Sequence, residues 1–128
     1  MSLASKTPAA GKGITETPDH FLYLKLDAFH ADFAADLPVK QTDLLARSQV
    51  MPAAAIFGTA ADTPAWKSKP SWAIVATEDR SINPNLERFM AKRADSHTVE
   101  IKASHAVYTS QLEKVAAFIE QAAKSLSK

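Results

Sequence analysis

Between Leu26 and Gly58 the apolar residues recur singly or in pairs at helical intervals, whereas after Pro64 they gather into solid or alternating runs. Helix and strand repeat with different periods, about 3.6 residues and 2, so this change of rhythm divides the chain. Asp27 stands where a helix cap belongs, with Leu26 just before it and Phe29, Phe33 and Leu37 following at intervals of four. Pro38 is expected to end that helix. A second helix is predicted over about 39–49, with Leu44 and Leu45 as its apolar contribution. A third opens at Pro52, runs through Ala53-Ala54-Ala55-Ile56-Phe57 and stops at Gly58. Faces this narrow suit helices that cover another structure better than helices that stand alone. Ahead of them Phe21-Leu22-Tyr23-Leu24 reads as one short strand. Residues 1–20 hold two of the three glycines and two of the seven prolines, and are expected to form a flexible arm.

After Pro64, Ser71-Trp72-Ala73-Ile74-Val75-Ala76-Thr77 is a nearly continuous apolar run, the pattern of a parallel strand buried on both faces. Asn83-Pro84 opens a helix, with Asn83 as cap, Pro84 in the first position, and Leu86, Phe89, Met90 and Ala94 as its core face. Thr98-Val99-Glu100-Ile101-Lys102 alternates as an edge strand does. Ser110 followed three residues later by Glu113 forms a capping box for a last helix, whose stripe is Leu112, Val115, Ala116, Ile119, Ala122, Ala123 and Leu126. Strand–helix–strand–helix from residue 71 onward is a βαβα unit with a right-handed crossover expected. Two parallel strands are too few for a stable sheet.

Composition adds mainly exclusions. With 46% hydrophobic and 23% charged residues over 128 positions, the chain is of ordinary globular make-up and long enough for one small domain. Fifteen basic residues face fourteen acidic ones, which leaves no electrostatic footprint for nucleic acid or an anionic membrane. The absence of cysteine excludes disulfides, thiolate catalysis and Cys-type zinc sites. The first 20 residues lack an apolar leader segment and no run approaches the roughly 20 apolar residues of a membrane span, so the expected compartment is the cytoplasm. His20, His30 and His97 show no helical i, i+4 pairing, so no metal is expected, and no cofactor either. Phe29, Phe33 and Phe57 either line a pocket or simply pack; Trp66 and Trp72 read as packing residues. Arg88, Lys92 and Arg93 read as the wet face of their helix.

Functional groups of an open α/β sheet gather in loops past the carboxyl ends of its strands. The first such loop is Thr77-Glu78-Asp79-Arg80-Ser81-Ile82-Asn83-Pro84 and the second is Ala103-Ser104-His105-Ala106-Val107-Tyr108. Parallel neighbours place both on one edge, where Asp79 and His105 can meet. An aspartate that fixes a histidine tautomer and stabilises its imidazolium is the orienting half of a serine-hydrolase triad.

The stretch from Lys69 to Pro84 resembles the strand and acid loop of α/β-hydrolases. Val99-Glu100-Ile101 with Ser104-His105 and Ser110 is similar to that family's last strand and histidine loop. The resemblance implies that Asp79 is the triad acid, with Glu78 the second choice by a one-residue slip, and that His105 is the base. The helical segment, with Phe29-His30-Ala31-Asp32-Phe33 and Ser48-Gln49, resembles the lid of small esterase-type members. The resemblance runs from about residue 21 to 128 and is strongest over 64–111.

The family's nucleophile elbow, Gly-x-Ser-x-Gly, has no counterpart: glycines stand only at 11, 13 and 58, none two residues from a serine as required. The oxyanion loop is missing as well. The expectation is therefore a partial α/β-hydrolase fold, an arm over 1–20 and a single α/β domain over 21–128. Within that domain, 21–63 is lid-like and 64–128 is the βαβα unit. It is expected to be a truncated relative of serine ester hydrolases, inactive by itself. The alternative is a non-catalytic, self-associating or partner-binding module. Expected partners are a second copy or a complementing N-terminal hydrolase segment; a small ester would be a substrate only once the site is complemented.

Overall fold

The structure, a computed structural model, describes residues 12–126. Its elements run β1 (Ile14–Glu16), β2 (Leu22–Leu24), α1 (Leu26–Phe33), α2 (Val39–Arg47), β3 (Trp72–Ala76), α3 (Pro84–Arg93), β4 (His97–Ile101), α4 (Val107–Ser110) and α5 (Leu112–Leu126). Two 3-10 turns, Ala54–Gly58 and Ala65–Lys67, lie between α2 and β3. β1 and β2 pair antiparallel, Ile14 opposite Leu24, while β3 and β4 pair parallel, Trp72 opposite His97 through Ala76 opposite Ile101.

The arm expected over 1–20 is in part a built strand. Ile14–Glu16 pairs with β2, and Lys25 N donates to the Gly13 carbonyl at 2.9 Å. Gly13 is where the hairpin crosses α1: a Cβ there would stand 2.9 Å from the Ala28 Cβ and 3.1 Å from Asp32 Oδ2. Only a glycine allows that approach. Residues 1–11 of the expected arm lie outside the described residues.

Asp27 lies in the first turn of α1 rather than at its cap, which is Lys25 with no capping side chain. That acid still sits favourably at the positive end of the helix. Pro38 does not end α1, which stops at Phe33; it precedes Val39 and starts α2, where its fixed φ suits a helix entry. The expected third helix is the 3-10 turn Ala54–Gly58.

Asn83 behaves as the sequence predicts. Its side chain accepts from Asn85 N at 2.9 Å and Pro84 occupies the first turn. Asn83→Ala should lower stability by about 1 kcal/mol in urea unfolding, whereas Asn83→Asp should lie within a few tenths of the native value. At the other end Asp95 takes φ 51°, with Ser96 N donating to the Ala91 carbonyl and Asp95 N to that of Lys92. This double bond closes the helix in the left-handed conformation that aspartate tolerates better than most residues.

The core is thin and lies in two connected parts. Phe29, Ala34, Leu37 and Ala46 from the helical segment cluster with Ala106 from the loop after β4. Val75, Ala76, Ala91, Ile101, Ala103 and Phe118 are buried within the βαβα unit. Three apolar faces turn out less covered than their pattern predicts. On β3 only Val75 and Ala76 are fully buried, because β4 is the strand's sole neighbour among the described residues. On α3, Leu86, Phe89 and Met90 are exposed and Ala91 is the buried residue. On α5, Leu112, Ile119 and Leu126 are exposed, and Phe118 is buried instead.

The capping box at Ser110 does not form, since that residue ends α4 and its hydroxyl is buried without a partner atom in the described structure. Arg88 and Arg93 are more engaged than a wet face implies. Arg88 makes a two-pronged pair with Glu100 at 2.7 and 2.8 Å, and the Arg93 guanidinium lies 5.3 Å from the Trp66 ring centre. No helix among the described residues is long and apolar enough to cross a membrane.

Candidate active site

Parallel pairing of β3 and β4 brings their following loops to one edge, and there the two candidate residues meet. Asp79 Oδ2 lies 2.6 Å from His105 Nδ1. The Asp79 side chain is 1% exposed and that of His105 29% exposed. The other carboxylate oxygen, Oδ1, accepts from Ser81 N at 2.6 Å and Ile82 N at 2.8 Å, so the acid is held by its own loop as it turns toward α3. Charge-assisted bonds to backbone N–H groups are short and strong, and they fix the carboxylate plane. Glu78, the second choice, points away and pairs with Lys102 at 3.6 Å on the surface.

The Asp79 hydrogen bond holds the His105 pKa above its ordinary 6.5; burial works against this, and the charges of Asp79 and Glu87 add to it. A histidine with a raised pKa stabilises the fold below its ordinary value, and that contribution is lost as pH rises through the folded value. His105 Nε2 has no hydrogen-bond partner among the described residues, and the ring lines a cavity of about 570 Å³. Chemically, the arrangement is a base with one nitrogen oriented and the other free to take a proton. No serine hydroxyl of the described residues bonds to it: Ser81 Oγ donates to the Asp32 carbonyl and Ser48 Oγ to that of Leu44.

The cavity is roofed by the helical segment and floored by the two loops. Phe29, Phe33 and Phe57 all line it, with Ile14, Leu22 and Leu24 from the hairpin. Phe33 packs on the imidazole, ring centres 4.7 Å apart, and Phe29 packs on Phe33 at 4.9 Å. His30, by contrast, bonds to Thr42 Oγ1 at 3.1 Å and ties α1 to α2; His97 stacks on Trp72.

The site is also built by Asp36, which carries no motif in the sequence, and by backbone and Gln49 contacts. Asp36 accepts from Ser104 N at 3.1 Å and from the Ser104 hydroxyl, while Ala106 N donates to the Phe33 carbonyl at 3.0 Å. Together these bonds brace both sides of His105. Gln49 bridges α2 to β2: Oε1 accepts from Leu24 N at 2.9 Å, and Nε2 donates to the carbonyls of Leu24 and Ala46 at 2.8 Å. Burial pushes the Asp36 pKa up, but the bonds from the Ser104 hydroxyl and N–H, with the Ser110 hydroxyl nearby, outweigh it and leave the group below its ordinary 3.8. The stabilisation from Asp36 is thus present above that value and lost as pH falls through the lower folded one. Asp36→Ala should lower stability at pH 7 by about 1 kcal/mol or less, because the carboxylate is largely exposed. The difference between variant and native in acid unfolding should shrink as pH falls below 3.8.

A model of the alpha/beta hydrolase family matches residues 3–118. The chain belongs to that family. Among curated proteins, none matches the chain. The family match spans both the helical segment and the βαβα unit, so the cavity between them lies within the hydrolase region.

Proposed function

We propose that these 128 residues are the acid–histidine portion of an esterase-like serine hydrolase, with the nucleophile and oxyanion hole contributed by a segment outside them. One observation carries the reading: Asp79 holds His105 at 2.6 Å through Nδ1 while the same imidazole lines a largely apolar cavity. In the mechanism this supports, His105 Nε2 removes the proton from an attacking serine and later returns it to the leaving alcohol. Asp79 keeps the required tautomer and stabilises the imidazolium. The helical segment acts as a lid, and Phe29, Phe33, Leu22 and Leu24 favour an ester with an apolar acyl or alcohol group. The open edge of β3 is the natural place for the nucleophile-bearing strand to add.

The test is turnover of an activated ester, p-nitrophenyl butyrate, by the chain alone and with an added strand–Gly-x-Ser-x-Gly–helix segment from a complete member of the family. Alone, the chain should give only the background rate; with the segment, it should show turnover that His105→Ala abolishes. Turnover by the chain alone that disappears in His105→Ala would refute the missing nucleophile. Turnover indifferent to that substitution would refute the role of His105.

A second reading rests on the exposed Leu112, Ile119 and Leu126 of α5 together with the edge of β3 that no described residue pairs. Exposed apolar surface and a free strand edge favour association with a second copy. Light scattering after size exclusion should then give a dimer or larger. A compact monomer at tens of micromolar would count against self-association and leave the complementing segment as the partner.

A further inference from the structure

Glu87, in the first turn of α3, is a shielded ionisable group beside the dyad to which the mechanism above gives no work. Its Oε2 is shielded from solvent and has no hydrogen-bond partner, in a chain whose exposed acids are freely solvated or paired. The side chain reaches Asp79 and the backbone of Ala76, at the last residue of β3. Asp79 has already committed three acceptor positions, to Ser81 N, Ile82 N and His105 Nδ1. A carboxylate offers about four, so one lone pair remains. Two shielded carboxylates in contact cannot both be ionised without large repulsion, and one of them holds a proton. The acid carrying three donated bonds is the poor candidate for that proton; Glu87 is the better one.

We propose that Glu87 is a positioning residue for the dyad, a carboxylic acid that keeps its proton and donates it as a fourth hydrogen bond to Asp79. This rests on reading Asp79 and His105 as acid and base. The bond would add a fourth restraint on the Asp79 carboxylate. Burial first, and the Asp79 charge second, push the Glu87 pKa up from 4.5 to about 7. The donor is therefore present in mildly acidic solution and lost as pH rises through that value. The groups facing Glu87 are Asp79 from the acid loop, His105 from the loop after β4, and Arg88 beside it on α3, whose guanidinium is engaged by Glu100. Once ionised, Glu87 adds a second negative charge beside His105 and strengthens its hold on a proton.

The experiment is carboxyl carbon-13 titration of Glu87 in the native chain, together with imidazole nitrogen-15 titration of His105 in native, Glu87→Gln and Glu87→Ala chains. Glu87 should titrate near 7 rather than at its ordinary value. Glu87→Gln, whose amide still donates to Asp79, should keep the Nδ1–H tautomer while moving the His105 midpoint to lower pH. Glu87→Ala should lose part of that tautomer preference. A Glu87 carbon titrating near 4.5 overturns the proposal, as does a His105 curve identical in the Gln variant. Should the variants fail to fold, the carbon titration of the native chain decides alone. A native His105 that ignores Asp79 would instead remove the dyad reading itself, which is a separate outcome.

Discussion

Asp79→Asn should leave the fold standing and turn His105 the wrong way round. The asparagine Oδ1 still accepts from Ser81 N and Ile82 N, the two bonds that shape the acid loop at 2.6 and 2.8 Å. Its amide nitrogen, however, faces His105 Nδ1 with donors where the carboxylate offered lone pairs. The imidazole must then accept at Nδ1 and carry its proton on Nε2, the nitrogen that has to be empty to act as a base. In a complemented enzyme that change should lower turnover by about 10⁴-fold. Asp79→Ala asks a different question. It removes a side chain only 1% exposed and leaves two shielded N–H groups without partners. A loss of about 3–5 kcal/mol is expected, read as a fall in urea midpoint at an unchanged slope. A pair of variants behaving alike, both folded or both unfolded, would mean that Asp79 is structural or catalytic but not both.

The second large effect should come from Phe29→Ala. Phe29 is 4% exposed, and the other buried members of its cluster are Ala34, Leu37, Ala46 and Ala106. With so many alanines around it, the ring supplies most of the apolar volume, and the site has little material with which to refill a cavity. The expected cost is about 3–5 kcal/mol. Against a total of roughly 5–15 kcal/mol for a domain, that is enough to detach the helical segment. Because Phe29 packs on Phe33 and Phe33 on His105, the imidazole signal should move as well. Phe57 also lines the cavity but is 72% exposed, and Phe57→Ala should stay within about 0.5 kcal/mol of native in the same urea experiment. Equal losses in the two variants would show that the cluster is not the core described.

The contrast between those two phenylalanines bears on what a sequence can disclose. The βαβα unit was legible because its signals are local: a solid apolar run, Asn83-Pro84 at a helix entry, an alternating strand. The meeting of Asp79 and His105 follows from topology, since parallel neighbours put successive loops on one edge. Other features depend on which surfaces meet. Ile14–Glu16 is too short to show an alternation; it is held by pairing with β2, where α1 comes close enough to need a glycine at 13. Ser110 and Glu113 have capping spacing, yet the turn of α4 takes the serine first. Leu86, Phe89 and Met90 have core spacing on α3, but the described residues bring little to cover them. Asp36 and Glu87 lie 68 and 8 residues from the partners they hold or adjoin, at spacings that match no motif.

The central claim is that Asp79 orients His105 as a base, and the most direct measurement is the imidazole nitrogen-15 spectrum of His105 followed across pH in the native chain. The account predicts a proton on Nδ1, a bare Nε2 and a midpoint above 6.5 that falls in Asp79→Asn. A midpoint at or below 6.5, or a neutral imidazole carrying its proton on Nε2 rather than Nδ1, would contradict it.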